Sequence, residues 1–132
     1  MRNEFRRRLK IYIGMLFMLS ACAGLQQQVT VDSIEGDKTI TMEVGSFKFT
    51  PNNIKAYQGD KVAINIVNVS DAGHNFTLED PQGQIIRSVD LPSKQTVKVR
   101  VTLTEAGEYV FYCDKPFHSS FGMKGQIEAV KK

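Results

Sequence analysis

From residue 38 onward the chain alternates apolar and polar positions with a period of two. TITMEV places Ile40, Met42 and Val44 on one side, and KVAINIVNV does the same for Val62, Ile64 and Ile66. HNFTLE aligns His74, Phe76 and Leu78, and TVKVRVTL aligns Val97, Val99, Val101 and Leu103. EYVFYC aligns Tyr109, Phe111 and Cys113, and QIEAV ends the chain with Ile127 and Ala129 together. Such alternation marks strands with one face buried, because successive side chains point to opposite faces of a sheet. The interruptions TPNN, QGD, SDAG, DPQG, LPSK and EAG carry turn residues. The spacing predicts seven or eight short strands in an antiparallel β-sandwich, an all-β domain over residues 38–132, with no competing helical run.

The N-terminal segment follows another pattern. Arg2, Arg6, Arg7, Arg8 and Lys10 precede the apolar stretch IYIGMLFML, Ile11 to Leu19. Nine residues are too few to span a bilayer, and a basic head before a short apolar core matches a secretory signal peptide over residues 1–21. The following LSAC, Leu19 to Cys22, resembles the lipobox of bacterial lipoproteins. That resemblance implies cleavage before Cys22, acylation of its sulfur and anchoring in a bacterial membrane, with the domain on the periplasmic or cell-surface side. Ordinary secretory cleavage near Ala21 or Ala23 is the alternative. Residues 22–37, polar with scattered apolar positions, read as a lipidated N-terminus and flexible tether.

Processing changes the charge. The whole chain carries +3, from 17 basic and 14 acidic residues. Without residues 1–21, twelve basic face thirteen acidic residues, so the basicity belongs to the leader. No electrostatic case for nucleic-acid binding is left.

With Cys22 acylated, Cys113 is the only remaining thiol, in a compartment where cysteines normally pair. It is then an inert core residue, an intermolecular partner or a ligand. Its surroundings point to the third. His118 follows after four residues and Met123 after four more, while the only other histidine, His74, shares the inward face of a strand. Two imidazoles, a thiolate and a thioether are the donor set of a trigonal copper site with a weak axial methionine. Sulfur donors suit Cu(I), and imidazole accepts both oxidation states.

The segment GEYVFYCDKPFHSSFGMKGQIEAV, with FKFTPNNIKAYQGDKVAINIVNVSDAGHNF upstream, resembles the cupredoxins, the small blue copper proteins that include plastocyanin, azurin and auracyanin. The resemblance covers about residues 38–131 and implies a Greek-key β-sandwich binding one copper ion. His74, Cys113 and His118 would be equatorial ligands and Met123 axial, with the Gly73 carbonyl as a weak further contact. Asn75 would tie the two ligand-bearing loops together, and Phe76 and Phe111 would line the site. Phe117 and Phe121, flanking His118, would form an apolar docking patch for redox proteins of a respiratory or photosynthetic chain.

The residues also exclude functions. Both histidines are assigned, leaving none for a second, catalytic copper or a Ser–His–Asp triad. A thioether is a poor zinc donor, and no phosphate-binding glycine loop occurs. The reading is a membrane-tethered, extracytoplasmic electron carrier rather than an enzyme. A copper-binding module for delivery or buffering is the alternative, followed by a small copper enzyme with an open coordination position.

Overall fold

The computed structural model describes residues 28–30 and 38–132. The expected signal peptide, Cys22 and the tether other than Gln28–Thr30 lie outside the described residues. The described residues form ten strands: β1 (Gln28–Thr30), β2 (Lys38–Gly45), β3 (Lys48–Thr50), β4 (Asn53–Tyr57), β5 (Lys61–Asn68), β6 (His74–Glu79), β7 (Ile85–Leu91), β8 (Thr96–Thr102), β9 (Gly107–Tyr112) and β10 (Lys124–Val130). They form a six-stranded sheet, ordered β1-β4-β10-β9-β6-β7, facing a four-stranded sheet, ordered β3-β2-β5-β8. Among the described residues no helix is long and apolar enough to cross a membrane.

The all-β sandwich expected from the alternation is the observed fold, with two corrections. The strand count is higher, because short or weakly patterned strands escape a period-two reading. β3 has three residues, and β7 is an edge strand whose Ile85 is exposed. Three residues expected as tether form β1, paired with β4. The sandwich is also not wholly antiparallel: β1 with β4, β4 with β10, and β2 with β5 run parallel. The chain leaves one sheet after β3 and joins the other at β4, so strands distant in sequence lie side by side without a hairpin between them.

The inward residues predicted for β2, β5, β6, β9 and β10 are buried, and all but His74 join one core between the sheets. At its centre Phe49 from β3 meets Phe76 and Phe111 edge-on, at centroid distances of 5.9 and 5.3 Å. Phe76 and Phe111 stack at 5.4 Å. These contacts fall in the separation range where aromatic pairs add to simple burial. The buried Tyr109 hydroxyl donates to the Glu105 carbonyl and accepts from the Glu105 N–H, which resolves the one polar atom of that side chain.

β6 departs from simple alternation. His74 to Leu78 are all buried, including Asn75 and Thr77 on the face away from the core. Those two satisfy each other, Thr77 Oγ1 donating to Asn75 Oδ1 at 2.7 Å, and Asn75 Nδ2 donates to Ser88 Oγ on β7.

At the end of the sandwich where β2 and β5 begin, Lys38 and Asp60 form a buried ion pair. Asp60 also accepts the Tyr57 N–H at 2.8 Å, and the Lys132 ammonium lies 4.0 Å from its other oxygen. Burial alone would raise the Asp60 carboxyl. The Lys38 hydrogen bond, the Tyr57 N–H and the charges of Lys38 and Lys132 outweigh it and hold the group below its ordinary 3.8. A carboxyl depressed on folding adds stability above its unfolded value and loses it as pH falls through the folded one. Asp60→Asn should therefore cost about 2 kcal/mol near neutral pH by losing charge-assisted bonds. In urea titrations the gap between wild type and variant should close as the pH drops below 3.8.

Candidate metal centre

The chemistry-bearing residues gather at the opposite end of the sandwich, where β5 ends and β6 begins. His74 opens β6, and Cys113 follows β9 directly. Their inward direction is set by the strands, since Phe76 two residues after His74 and Phe111 two before Cys113 belong to the central aromatic cluster. His118 and Met123 lie on the loop joining β9 to β10.

That loop is held by its own backbone. The Cys113 N–H donates to the Met123 carbonyl and the Met123 N–H to the His118 carbonyl, both at 3.1 Å. Tight turns inside it join His118 N–H to Lys115 O, Phe121 N–H to Phe117 O and Gly122 N–H to Ser119 O. At its base Gly125 gives the backbone room to pass. A Cβ there would lie 2.3 Å from the Asn52 carbonyl oxygen and 2.5 Å from Phe111 Cζ. Any larger residue would separate the loop from the aromatic core beneath it.

The side chains converge. His74 Nδ1 lies 3.3 Å from His118 Nδ1, and Cys113 Sγ lies 3.4 Å from that same nitrogen. One ligand atom from each of the three residues falls within 4.8 Å of the other two. Cys113 and Met123 are fully buried, His74 is nearly so, and His118 is half-buried. Among the described residues this is the one such cluster, and no carboxylate takes part. Burial lowers the His74 imidazole below its ordinary 6.5, and the charges of His118 and Lys115 lower it further. A neutral imidazole keeps a lone pair free for a metal. Two nitrogens and a buried sulfur at this spacing, with a thioether on the same short loop, fit a copper ion better than zinc or a hard cation.

The remaining predicted residues fall around this cluster. Gly73 is exposed in the turn before β6. Asn75 turns its side chain to Thr77 and Ser88, and Thr77 Oγ1, whose proton goes to Asn75 Oδ1, also lies 3.4 Å from Asp114 Oδ2 on the ligand loop. Phe117 and Phe121 are 74% and 70% exposed, an apolar rim beside His118. The sequence reading missed a third member. Phe47 is 45% exposed and packs edge-on against the His118 ring at 4.7 Å and beside Phe121 at 5.7 Å. It sits with Ser46 in the two-residue turn between β2 and β3, both with positive φ. The signal in the sequence was a phenylalanine at a hairpin tip, where a polar residue or glycine is usual.

Known proteins are similar to this chain in sequence and in fold. Plastocyanin from Dryopteris crassirhizoma is 30% identical over 96 residues, which span 64% of this chain and 90% of that protein. Auracyanin A, a "blue" copper protein from Chloroflexus aurantiacus, superposes with a TM-score of 0.62 at 21% identity, over 71% of this chain and 99% of its own. The metal-binding domain of the Cu(I)-exporting P-type ATPase of Streptococcus pneumoniae D39, solved with Cu(I), gives a TM-score of 0.63 at 16% identity, over 81% of this chain and 99% of its own. The profile of the cupredoxin-like domain matches residues 10–129. Matched over nearly its whole length, the chain belongs to the family of cupredoxin-like domains.

Proposed function

We propose that this chain is an electron carrier in which His74, Cys113 and His118 would hold one copper ion, with Met123 as a weaker thioether donor. The observation that carries the reading is the convergence of two imidazoles on a buried, unpaired thiol. When bound, copper supplies one-electron exchange between Cu(I) and Cu(II). The protein supplies a fixed frame. Cys113 and Met123 are tied to each other through the backbone, and His74 is set by its strand, so the donors have little freedom to rearrange. Burial of Cys113 protects the thiolate from oxidants and disulfide exchange. His118 is the ligand least covered by protein, and electrons would enter and leave at its edge.

The rim of Phe47, Phe117 and Phe121 around that edge suits brief contact with redox partners, because apolar area desolvates easily and imposes few directional bonds. The basic leader and LSAC support export and lipid attachment at Cys22, which would keep the carrier outside the cytoplasm at a bacterial membrane. Each buried methylene of such an anchor contributes about 0.8 kcal/mol.

A delivery or buffering role is the second reading, prompted by the likeness to the ATPase metal-binding domain. Deep burial of Cys113 and Met123 favours retention over exchange, and therefore the carrier. An enzyme would need an open coordination position beside the metal, and Met123 argues against one.

Three outcomes are expected. Adding one equivalent of Cu(II) to the chain should produce an intense thiolate-to-copper absorption band that ascorbate bleaches reversibly. Cys113→Ser should lack it, and a wild-type chain without the band would sink the carrier reading. Replacing Phe117 and Phe121 together by alanine should slow bimolecular electron exchange with a redox partner about tenfold by stopped flow, while the reduction potential stays unchanged. In cell fractionation, Cys22→Ala should move the protein from the membrane to the soluble fraction.

A further inference from the structure

The loop between β5 and β6 carries a hydrogen-bond chain that ends on His74. It begins at Asn68, which is 1% exposed. Asn68 Nδ2 lies 2.8 Å from the Ala72 carbonyl, 2.9 Å from that of Leu91 and 3.2 Å from that of Pro92. Three carbonyls around one amide group settle which end is nitrogen, since only the NH₂ can donate. Asn68 Oδ1 is therefore an acceptor. It takes the Ser70 N–H at 3.0 Å and lies 2.8 Å from Ser70 Oγ.

Ser70 Oγ in turn lies 3.0 Å from His74 Nε2. A serine hydroxyl has a single proton. Two oxygens compete for it, Asn68 Oδ1 at 2.8 Å and the Ala72 carbonyl at 2.9 Å, and neither can donate in return. Both oxygens lie closer than Nε2 at 3.0 Å, and once either takes the proton the hydroxyl oxygen, which also accepts the Ala72 N–H at 3.3 Å, keeps a lone pair for Nε2. The complementary state of the imidazole has its proton on Nε2 and a free lone pair on Nδ1, the atom 3.3 Å from His118 Nδ1.

The loop that presents Ser70 is held from three directions. The Val69 N–H donates to the Val44 carbonyl, Ser93 Oγ donates to the Ser70 carbonyl, and Lys94 Nζ donates to the Val69 carbonyl. The hydroxyl is therefore part of a fixed loop.

We propose that Asn68 and Ser70 form a relay that places the His74 proton on Nε2 and so presents Nδ1 as a ready donor toward Cys113 and His118. Ser70 is a positioning residue: it touches no metal and acts through the imidazole. The proposal deepens the copper-centre reading and rests on it for the use of Nδ1. The tautomer itself is measured without metal, so the two fail separately.

The test is long-range ¹H–¹⁵N NMR of the metal-free full chain at a pH where imidazole is neutral, with copper affinity measured in parallel by competition. His74 should be a single Nε2–H tautomer with slow proton exchange. Ser70→Ala should populate both tautomers and weaken copper binding about tenfold to a hundredfold, the usual cost of losing the hydrogen-bond partner of a metal-bound histidine. Ser70→Thr, which keeps the hydroxyl, should restore both. An Nδ1–H tautomer in the wild type overturns the relay. So does a Ser70→Ala chain that keeps the pure Nε2–H form, or one that binds copper within about twofold of wild type. A wild-type chain with the Nε2–H tautomer that takes up no copper supports the relay and overturns the copper reading instead.

Discussion

The metal pole depends on the antiparallel pairing of β9 with β10. Tyr112 lies opposite Lys124 at the last rung of that ladder, and one further bond, Cys113 N–H to Met123 carbonyl, closes the loop beyond it. Three of the four candidate donors are thereby brought together by a stem that the sheet already stabilises. Ordering an eleven-residue loop alone would cost conformational entropy that a single metal-binding loop in an unfolded chain must recover from the metal. Here strand pairing and the Phe49–Phe76–Phe111 cluster supply the order, and Gly125 lets stem and cluster touch.

This division of labour explains what was legible in the sequence. Burial on one face leaves a period-two trace, so β2, β5, β6, β8, β9 and β10 could be read directly, as could the inward side of His74 and Cys113. Clustered His, Cys and Met residues on one loop are a local signal, and they survived translation into space. Asn75 shows the limit. Its position beside His74 was visible, but whether its amide met the ligand loop or a neighbouring strand depended on Ser88 and Thr77, which only the sheet register brings alongside. The sequence could not place Phe47 or Ser70 at the site for the same reason. One comes from a hairpin tip over sixty residues before the ligand loop, and the other looks like an ordinary turn serine until Asn68 orients it.

The exposed rim has a physical signature besides its apolar character. Phe47 and Phe117 adopt φ values of +58° and +68°, a region where a side chain crowds the backbone and each residue loses roughly 1–2 kcal/mol. Both flank His118, and Phe47 rests on its ring. Strained backbone at two aromatic residues beside one partly exposed ligand is the pattern expected where display of a surface outweighs local comfort.

The two ends of the sandwich then solve opposite problems with polar groups. At the Lys38–Asp60 end, opposite charges satisfy each other within the fold, and Lys132 adds a second cation at the surface. At the metal end, His74, Cys113 and His118 face one another with no carboxylate of the described residues in the cluster to balance an incoming cation. Metal binding requires both imidazoles neutral and Cys113 deprotonated, so the loaded site would be +1 with Cu(II) and neutral with Cu(I). In a buried setting the smaller charge costs less to desolvate. The same burial that shields Cys113 would therefore favour the reduced form of a bound copper ion.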